Sequence, residues 1–386
     1  MSPRHLTSIN DLRLEEIESV FSLAEKYLRE LVDPNLPYRI ARSTNVCGGS
    51  VMATLFYEPS TRTRLSFESA MLRLGGQVIS SADPAASSAA KGESLADTIR
   101  MASAYADILV LRHPREGAAQ FAAEYASVPL INAGDGAHEH PTQTLTDLFT
   151  ILRERGTLTD LTVALLGDLR GGRTAHSLAY ALARYGARIA LMPAPGLELP
   201  EYVAARLREA FGYEYLKPNE LRSDDGMAGM FVPNGTANDP VGAVDVLYVT
   251  RFQKERAADA VTEYPTVTAR FLAADRFRNT LVLHPLPRVD ELDAKFDQDE
   301  RAGYFRQASY GVPVRMALIT MLLKGDNKNI VRGCHSHGLC TDVTCGNANC
   351  ISRDARETAA APKLHPLLSD PSRLRCWYCD HEISLA

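Results

Sequence analysis

The densest cluster of groups that could do chemistry is the run STRTR at residues 60–64. It follows an apolar run that predicts a strand and precedes a segment with helical spacing. Hydroxyl groups, guanidinium groups and the free N–H groups of a helix start therefore converge there. This set of donors is typical of a phosphate-binding turn. The alternative is an ordinary N-cap with exposed arginines, and the missing Gly-Lys-Ser/Thr sequence gives no support for a P-loop.

A second cluster lies near the C-terminus, since six of the seven cysteines occur at or beyond residue 334. Two short-spaced pairs stand out, and four thiolates at such spacing suit zinc in a closed structural site without a catalytic water. The alternative is a set of free thiols in a disordered tail. The pairs are Cys345 with Cys350 and Cys376 with Cys379. A neighbouring group leaves another ligand set open: Cys334, His335, His337 and Cys340.

The composition excludes several classes of protein. A chain of 386 residues with 45% hydrophobic and 23% charged residues is typical of a globular protein with two or three domains. The net charge of −5 gives no reason to expect a nucleic acid or a membrane surface as partner. Apolar runs fall short of the roughly 20 residues of a spanning helix, and the first residues lack a signal core, which predicts a cytoplasmic protein.

The elements that must position these clusters alternate along the chain. This alternation predicts an α/β protein of two doubly wound parallel-sheet domains, joined near residues 145–158, plus a small C-terminal zinc-binding domain. Turn formers at residues 223–240 predict an inserted surface loop. Apolar runs predict strands at 51–57, 106–111, 128–132, 161–167, 188–192, 244–250 and 280–284. Helical spacing predicts helices at 11–31, 65–74, 94–105, 117–125, 141–154 and 312–323.

The run FYEPSTRTRLSFE at residues 56–68 resembles the carbamoyl phosphate signature of the aspartate and ornithine carbamoyltransferases. Three more runs agree with this family in the same order, so the resemblance covers about residues 5–323. It implies a carbamoyl phosphate-binding domain over residues 1–146, on which helix 312–323 packs, and an aspartate-binding domain over residues 147–311. The three runs are LRHP at 111–114, HPTQTL at 140–145 and HPLPR at 284–288.

The resemblance also implies a role for each matching residue. Without it, His140 could be a packed histidine and Gln143 a surface amide. The residues that would hold the phosphate are Ser60, Thr61, Arg62 and Thr63. Those at the carbamoyl group would be Arg112, His140, Gln143 and, through backbone carbonyls, Pro285 and Leu286. In the reaction, the oxyanion would be stabilised by Thr63, Arg112 and His140, and the departing phosphate by Arg62 and Lys91.

The second substrate follows from two arginines. Arg173 and Arg251, with Gln253, resemble aspartate-binding elements, and two guanidinium groups suit two carboxylates better than they suit the ammonium group of ornithine. The Cys and the Ser-Met-Gly element of the ornithine enzymes are not found. The predicted function is therefore an aspartate carbamoyltransferase of pyrimidine biosynthesis without an organic cofactor. The alternatives are a carbamoyltransferase for another amino acid and a non-catalytic scaffold.

The resemblance extends to assembly and to the tail. Residues 83–93 match a mobile loop through which Ser87 and Lys91 would reach the active site of a neighbouring subunit, which implies a homotrimer and leaves association of two trimers open. The tail resembles the zinc domain of the aspartate carbamoyltransferase regulatory chain. It implies a fusion protein whose domain at residues 331–386 binds structural zinc and serves assembly, without the regulatory chain's nucleotide-binding domain.

Overall fold

The computed structural model describes residues 3–82, 91–221, 227–237, 243–253, 264–325, 340, 342–367 and 370–385. The chain divides into two compact units, one of residues 1–142 with 311–386 and the other of residues 143–310. Among the described helices, none combines the length and the apolar character that crossing a membrane requires.

Helices and strands alternate through both units. The helices are α1 (Leu14–Leu31), α2 (Thr61–Arg73), α3 (Leu95–Tyr105), α4 (Ala118–Ala123), α5 (Pro141–Arg155), α6 (Arg173–Arg184), α7 (Glu201–Phe211) and α8 (Tyr304–Lys324). The strands are β1 (Val32–Asp33), β2 (Leu36–Ile40), β3 (Val51–Phe56), β4 (Gln77–Ser81), β5 (Ile108–His113), β6 (Leu130–Asp135), β7 (Thr162–Gly167), β8 (Arg188–Pro193), β9 (Tyr213–Leu216), β10 (Gly229–Pro233), β11 (Val246–Val249), β12 (Leu281–Leu283), β13 (Leu364–Pro366), β14 (Arg373–Cys376) and β15 (Glu382–Ser384).

The main sheet of the first unit is parallel, with the order β4-β3-β5-β6. Its central strands are buried almost throughout, which explains why they are near-continuous apolar runs. The chain leaves β3 for β4 on one side and returns to β5 on the other. The carboxyl ends of β3 and β5 therefore border the crevice where α/β folds bind their ligands.

The sheet of the second unit has the order β12-β11-β7-β8-β10-β9. Its first four strands are parallel, whereas β10 runs antiparallel to β8 and β9. The prediction of a surface loop over residues 223–240 is wrong at β10, where Met230, Phe231 and Val232 are only 0–1% exposed. Because this apolar run is short and flanked by turn formers, its sequence pattern is that of a loop.

The C-terminal module, defined here as residues 340–385, contains the antiparallel sheet β13-β14-β15. It shares one hydrophobic core with α3, β5 and α4 of the first unit, and the ring of Tyr378 meets that of Phe121 edge to face. On the rim, Glu124 accepts hydrogen bonds from Trp377 Nε1 and Lys363 Nζ. The module is therefore part of the first unit rather than a free appendage.

Gly117, at the start of α4, allows this close packing. Its φ of +79° is favourable only for glycine, and a Cβ there would lie 2.5 Å from the carbonyl carbon of Tyr378. Gly156 has the same φ but has open space around its missing Cβ. A comparison of substitutions at the two glycines therefore distinguishes the effect of backbone strain from that of a steric clash with the module.

We expect Gly117→Ala to release the C-terminal module, because it adds a collision with Tyr378 to a left-handed strain of about 1–2 kcal/mol. The matched control, Gly156→Ala, adds the strain alone and should leave the module in place. Trp377, the single tryptophan of the chain, reports the difference through its fluorescence. An unchanged Trp377 emission in folded Gly117→Ala would contradict the packing described here.

Candidate active site and metal centre

The turn after β3 carries the hydroxyl and guanidinium groups of the STRTR run. Ser60 is the N-cap of α2, and its side chain makes no capping hydrogen bond to the helix. Thr61 and Arg62 are exposed on the first helical turn, while Thr63 is buried. A helix of 13 residues thus begins at the carboxyl end of a central strand, with its first N–H groups beside hydroxyls. Such a turn can hold a phosphate.

Arg112, the fifth residue of β5, ties this turn to its neighbours. Its Nη2 donates to Glu58 Oε1 at 2.7 Å, and its Nη1 donates to the carbonyl of Ala133 in β6 at 3.0 Å. The carbonyl of Arg112 accepts the N–H of Tyr57 at 2.8 Å. The guanidinium is thereby held at the carboxyl ends of β3 and β5, next to the segment that leads to the phosphate turn.

The loop from β6 to α5 is held by Asp135. Its Oδ1 accepts hydrogen bonds from Asn132 Nδ2 and Glu139 N, and its Oδ2 accepts one from Gly117 N. His140 follows in this loop and is buried immediately before α5. The first unit therefore brings the elements bearing Ser60–Thr63, Arg112 and His140 to one edge of its sheet.

Two further histidines of this region have shifted pKa values. Burial lowers the pKa of His113 to about 4, so its imidazole is neutral at neutral pH and accepts the N–H of Arg115. Burial alone would lower the pKa of His138, but its hydrogen bonds and Coulombic attraction to Asp135 and Asp380 raise that pKa well above its usual value. His138 is therefore a partly buried cation between two carboxylates.

The loop prediction at residues 83–93 falls largely outside the described residues, and Ser87 lies outside them. Lys91 is described and exposed, four residues before the start of α3. The structure therefore places Lys91 at the end of the segment that follows β4, at the same edge of the sheet as the turn after β3.

In the second unit, Asp168 organises the carboxyl ends of two neighbouring strands. Its Oδ1 accepts the N–H of Gly171 at 2.7 Å, in the turn that leads to Arg173 at the start of α6. Its Oδ2 accepts the N–H of Gln253 at 3.1 Å, in the segment after β11 that also carries Arg251. One buried carboxylate thus links the predicted aspartate-binding segments.

Tyr264 supports this arrangement, although the sequence analysis did not identify it. Its hydroxyl accepts the N–H of Asp168 at 2.7 Å and donates to the carbonyl of Thr250 at 2.6 Å. A Cβ on Gly167 would lie 2.4 Å from that hydroxyl, so the contact requires a glycine at this position. Burial raises the pKa of Tyr264, which keeps the hydroxyl protonated as a donor.

The turn after β12 presents Pro285 and Leu286. His284 Nδ1 accepts the N–H of Leu286 at 2.8 Å, and its Nε2 lies 2.7 Å from Glu291 Oε1. Burial would raise the pKa of Glu291, but the hydrogen bond with His284 lowers it. Leu286 has a φ of +55°, a strained conformation that is typical of functional sites and is held here by His284.

Gln143 is held by Asp147, one turn further along α5. Gln143 Nε2 donates to Asp147 Oδ1 at 2.7 Å, and the same carboxylate accepts hydrogen bonds from Gln307 and from the hydroxyl of Tyr248. Gln307 also accepts the N–H of His284. Gln143 and the turn at Pro285 therefore belong to one hydrogen-bond network. In the sequence, Asp147 is a single acidic residue that gives no sign of this network.

The four cysteines predicted as ligands form one buried cluster in the C-terminal module. Sγ of Cys345 lies 3.7 Å from that of Cys379, and Sγ of Cys350 lies 3.8 Å from that of Cys376. These separations exclude disulfides, whose S–S bond is about 2.05 Å. They match the edge of about 3.8 Å in a tetrahedron with metal–sulfur bonds of about 2.3 Å. The residues therefore fit a metal ion.

The other ligand set proposed from the sequence receives no support from the described part of the chain. Cys340 pairs through its backbone with Leu364 and does not belong to the four-cysteine cluster. Its companions Cys334, His335 and His337 lie outside the described residues.

Comparisons with known proteins find three families along the chain. The "Aspartate/ornithine carbamoyltransferase, carbamoyl-P binding domain" family matches residues 4–154, and the "Aspartate/ornithine carbamoyltransferase, Asp/Orn binding domain" family matches residues 159–322. The "Aspartate carbamoyltransferase regulatory chain, metal binding domain" family matches residues 337–386. One chain therefore carries all three matches.

Curated relatives and solved structures agree with these families. The chain is similar to the aspartate carbamoyltransferase catalytic subunit of Thermoplasma acidophilum, with 46% identity over 83% of this chain and 98% of the relative. It is also similar to the catalytic subunit of M. jannaschii aspartate transcarbamoylase, with 43% identity, a TM-score of 0.69 and coverage of 84% and 99%. Aspartate transcarbamoylase from Trypanosoma cruzi in complex with carbamoyl phosphate and aspartate has 36% identity, a TM-score of 0.67 and coverage of 83% and 95%.

We expect the purified chain to carry about one divalent metal ion, because four thiolates complete a tetrahedral site. The double substitution Cys376→Ser and Cys379→Ser should abolish metal binding and unfold the module, since a small domain with little core depends on its metal. Cys340→Ser, the matched control, should retain the metal. Metal analysis under reducing conditions measures both, and full metal retention in the double variant would show that the ligands are wrong.

Proposed function

The chain belongs to the aspartate/ornithine carbamoyltransferase family and is an aspartate carbamoyltransferase, and on that premise we propose how its residues share the work of the reaction. The enzyme transfers the carbamoyl group of carbamoyl phosphate to L-aspartate and releases phosphate. In our proposal, the first unit supplies the carbamoyl phosphate half-site with Ser60, Thr61, Arg62, Thr63, Lys91, Arg112 and His140. The second unit supplies the aspartate half-site with Arg173, Arg251 and Gln253. It also supplies contacts to the carbamoyl group from Gln143 and from the backbone carbonyls of Pro285 and Leu286.

The observation that carries the aspartate assignment is the pair of backbone hydrogen bonds to Asp168. They fix the turn before Arg173 and the segment with Arg251 and Gln253 to one carboxylate. The guanidinium groups that would bind the α- and β-carboxylates thus arise from neighbouring strand ends, β7 and β11. A substrate with an ammonium group in place of the second carboxylate would be repelled there.

The chemistry demands positioning and charge stabilisation, because carbamoyl phosphate already carries a good leaving group. The neutral α-amine of aspartate attacks the carbamoyl carbon and the bond to phosphate breaks. Thr63, Arg112 and His140 stabilise the negative charge on the carbamoyl oxygen, while Arg62 and Lys91 neutralise the departing phosphate. The proton lost by the amine passes to that phosphate, so no protein general base is needed.

We also propose a homotrimer with shared active sites, in which Ser87 and Lys91 act on the neighbouring subunit's substrate. An exposed apolar face supports this assembly: Leu65 and Leu72 on α2 are 53% and 57% exposed, and Ile79 on the edge strand β4 is 44% exposed. Such a face, next to an unpaired strand edge, is typical of an interface. It lies beside the chain segment that leads to Lys91.

The C-terminal module carries the proposed metal site. We propose that the module is a regulatory-chain-like zinc domain of residues 331–386, fused to a catalytic chain, and that its four cysteinates hold Zn²⁺ as a structural ion, for which they are suitably soft ligands. The carbamoyl phosphate domain would span residues 1–146 and the aspartate domain residues 147–311. The reaction would serve pyrimidine biosynthesis in the cytoplasm.

Arg62→Ala is expected to lower kcat by about two orders of magnitude or more, as the loss of preorganised charge at a transition state does. The matched control is Arg29→Ala, which removes an exposed arginine from α1 and should leave kcat unchanged. Steady-state assays of carbamoyl aspartate formation measure both. Near-normal turnover by folded Arg62→Ala would end the assignment of the phosphate turn.

Shared sites are tested by complementation. Lys91→Ala and Arg62→Ala homotrimers should each be nearly inactive. Trimers re-formed from a mixture should regain activity, because some sites then combine Lys91 from one subunit with an intact phosphate turn from another. Mixed trimers that stay inactive, although mass measurement shows them to have formed, would exclude the sharing of sites.

A further inference from the structure

The C-terminal module supplies a cap to helix α3. Glu357 Oε1 accepts the N–H of Leu95, the first residue of α3, at 2.7 Å. Glu357 is only 8% exposed. The N-cap Ser94 uses its own side chain for the N–H of Asp97. The Glu357 carboxylate therefore satisfies one further amide of the first turn and lies at the positive end of the helix dipole.

The start of α3 packs against the chain segment that leads to the phosphate turn. Tyr57 packs on the hydrophobic cluster that contains Leu95 and Ala96 of α3. Tyr57 lies three residues before Ser60, and its backbone N–H donates to the carbonyl of Arg112. The start of α3 thus packs on the segment between β3 and the phosphate turn, and Lys91 lies four residues before this helix start.

The module makes a second polar contact at the loop that carries His140. Asp380 Oδ2 lies 3.4 Å from His138 Nε2, while His138 Nδ1 lies 3.1 Å from Asp135 Oδ2. His138 is two residues before His140 in the chain. The module therefore extends the network of Asp135 that shapes this loop.

A third contact lies between these two, in the loop after β5. Asn347 Nδ2 donates to Glu116 Oε2 at 2.7 Å, and Arg115 Nε donates to Asp354 Oδ2 at 3.2 Å. The module is therefore bonded to the segments that follow β4, β5 and β6. All three segments lie at the carboxyl edge of the parallel sheet, where the carbamoyl phosphate half-site is placed.

We propose that the metal module positions the carbamoyl phosphate half-site, with Glu357 and Asp380 as positioning residues that hold the start of α3 and the His138–His140 loop. The proposal rests on the roles proposed above for Lys91, Arg112 and His140. Neither carboxylate touches substrate. Each raises the fraction of molecules in which these loops are already in the binding geometry, and the apparent affinity for carbamoyl phosphate rises with that fraction.

The test uses the full metal-loaded chain and compares Glu357→Ala with Glu357→Gln. The alanine variant loses the cap, so we expect the KM for carbamoyl phosphate to rise about five- to tenfold. Saturating carbamoyl phosphate restores the ordered loops, so kcat should stay within about twofold. The glutamine variant keeps a carbonyl oxygen for the N–H of Leu95 and should restore most of the affinity.

Asp370→Asn is the matched control, since Asp370 is an exposed carboxylate of the module that accepts from Ser372 within the module. It should leave both kinetic constants unchanged. Metal content and Trp377 fluorescence verify that the module stays loaded and docked in every variant. If Glu357→Ala undocks the module, Asp380→Asn provides the same measurement at the other contact, with the same expected rise in KM.

An unchanged KM for carbamoyl phosphate in docked, metal-loaded Glu357→Ala and Asp380→Asn would overturn the proposal. An equal loss of affinity in Glu357→Gln and Glu357→Ala would also overturn it, because the retained acceptor should matter. These failures differ from failure of the proposed function, which would appear as normal turnover of Arg62→Ala whatever the module variants show.

Discussion

A carboxylate that is buried away from water must receive hydrogen bonds, and the loops of both half-sites are arranged to supply them. Three such carboxylates organise the two units. Asp135 is the last residue of β6, Asp168 directly follows β7, and Asp147 lies in the second turn of α5. Each accepts hydrogen bonds from segments that are distant from one another in sequence or belong to different loops. Because such an acceptor cannot be left unsatisfied without a large cost, it fixes the loops that surround it.

Two of the backbone donors to these carboxylates are glycines. Gly117 donates its N–H to Asp135 at 2.9 Å and Gly171 donates its N–H to Asp168 at 2.7 Å, each in the turn just after a strand or before a helix. At Gly117 a glycine is required by the left-handed conformation and the close contact with Tyr378. The loops that carry the proposed ligands therefore hold their shape in part through backbone donors.

Much of the fold could be predicted from the sequence, because parallel strands buried on both faces are apolar runs bounded by helices. The predicted strand near residues 51–57 and the predicted helix at 141–154 agree closely with β3 and α5. The polar start of a helix was missed, since α2 begins at Thr61 and not at residue 65. The spacing of apolar residues cannot indicate a first turn that contains only polar side chains. Strand β10 was missed because its apolar run is too short to stand out from the turn formers around it.

Motifs in the sequence indicate the residues proposed to bind ligands. The residues that hold those ligand-binding loops in place give no such signal. The cysteine pairs and the STRTR run stand out in the sequence by residue type and spacing, whereas the acidic residues Asp168 and Asp147 look like surface charges until the fold buries them. Tyr264 belongs to no motif in the sequence, since its role depends on two backbone groups, at Asp168 and Thr250, that directly follow β7 and β11. Support of this kind is a property of the tertiary structure.

A closed metal site can affect the reaction without binding the substrate. Four cysteine sulfurs fill a tetrahedron and leave no position for substrate. Yet Asp380 directly follows Cys379, and Glu357 lies in the chain between the two cysteine pairs. A metal ion bound by the four cysteines would therefore restrict the backbone that carries both carboxylates. In a reaction that depends on positioning more than on a nucleophile, fixing the loops that receive carbamoyl phosphate is a contribution that a structural metal can make without touching the substrate.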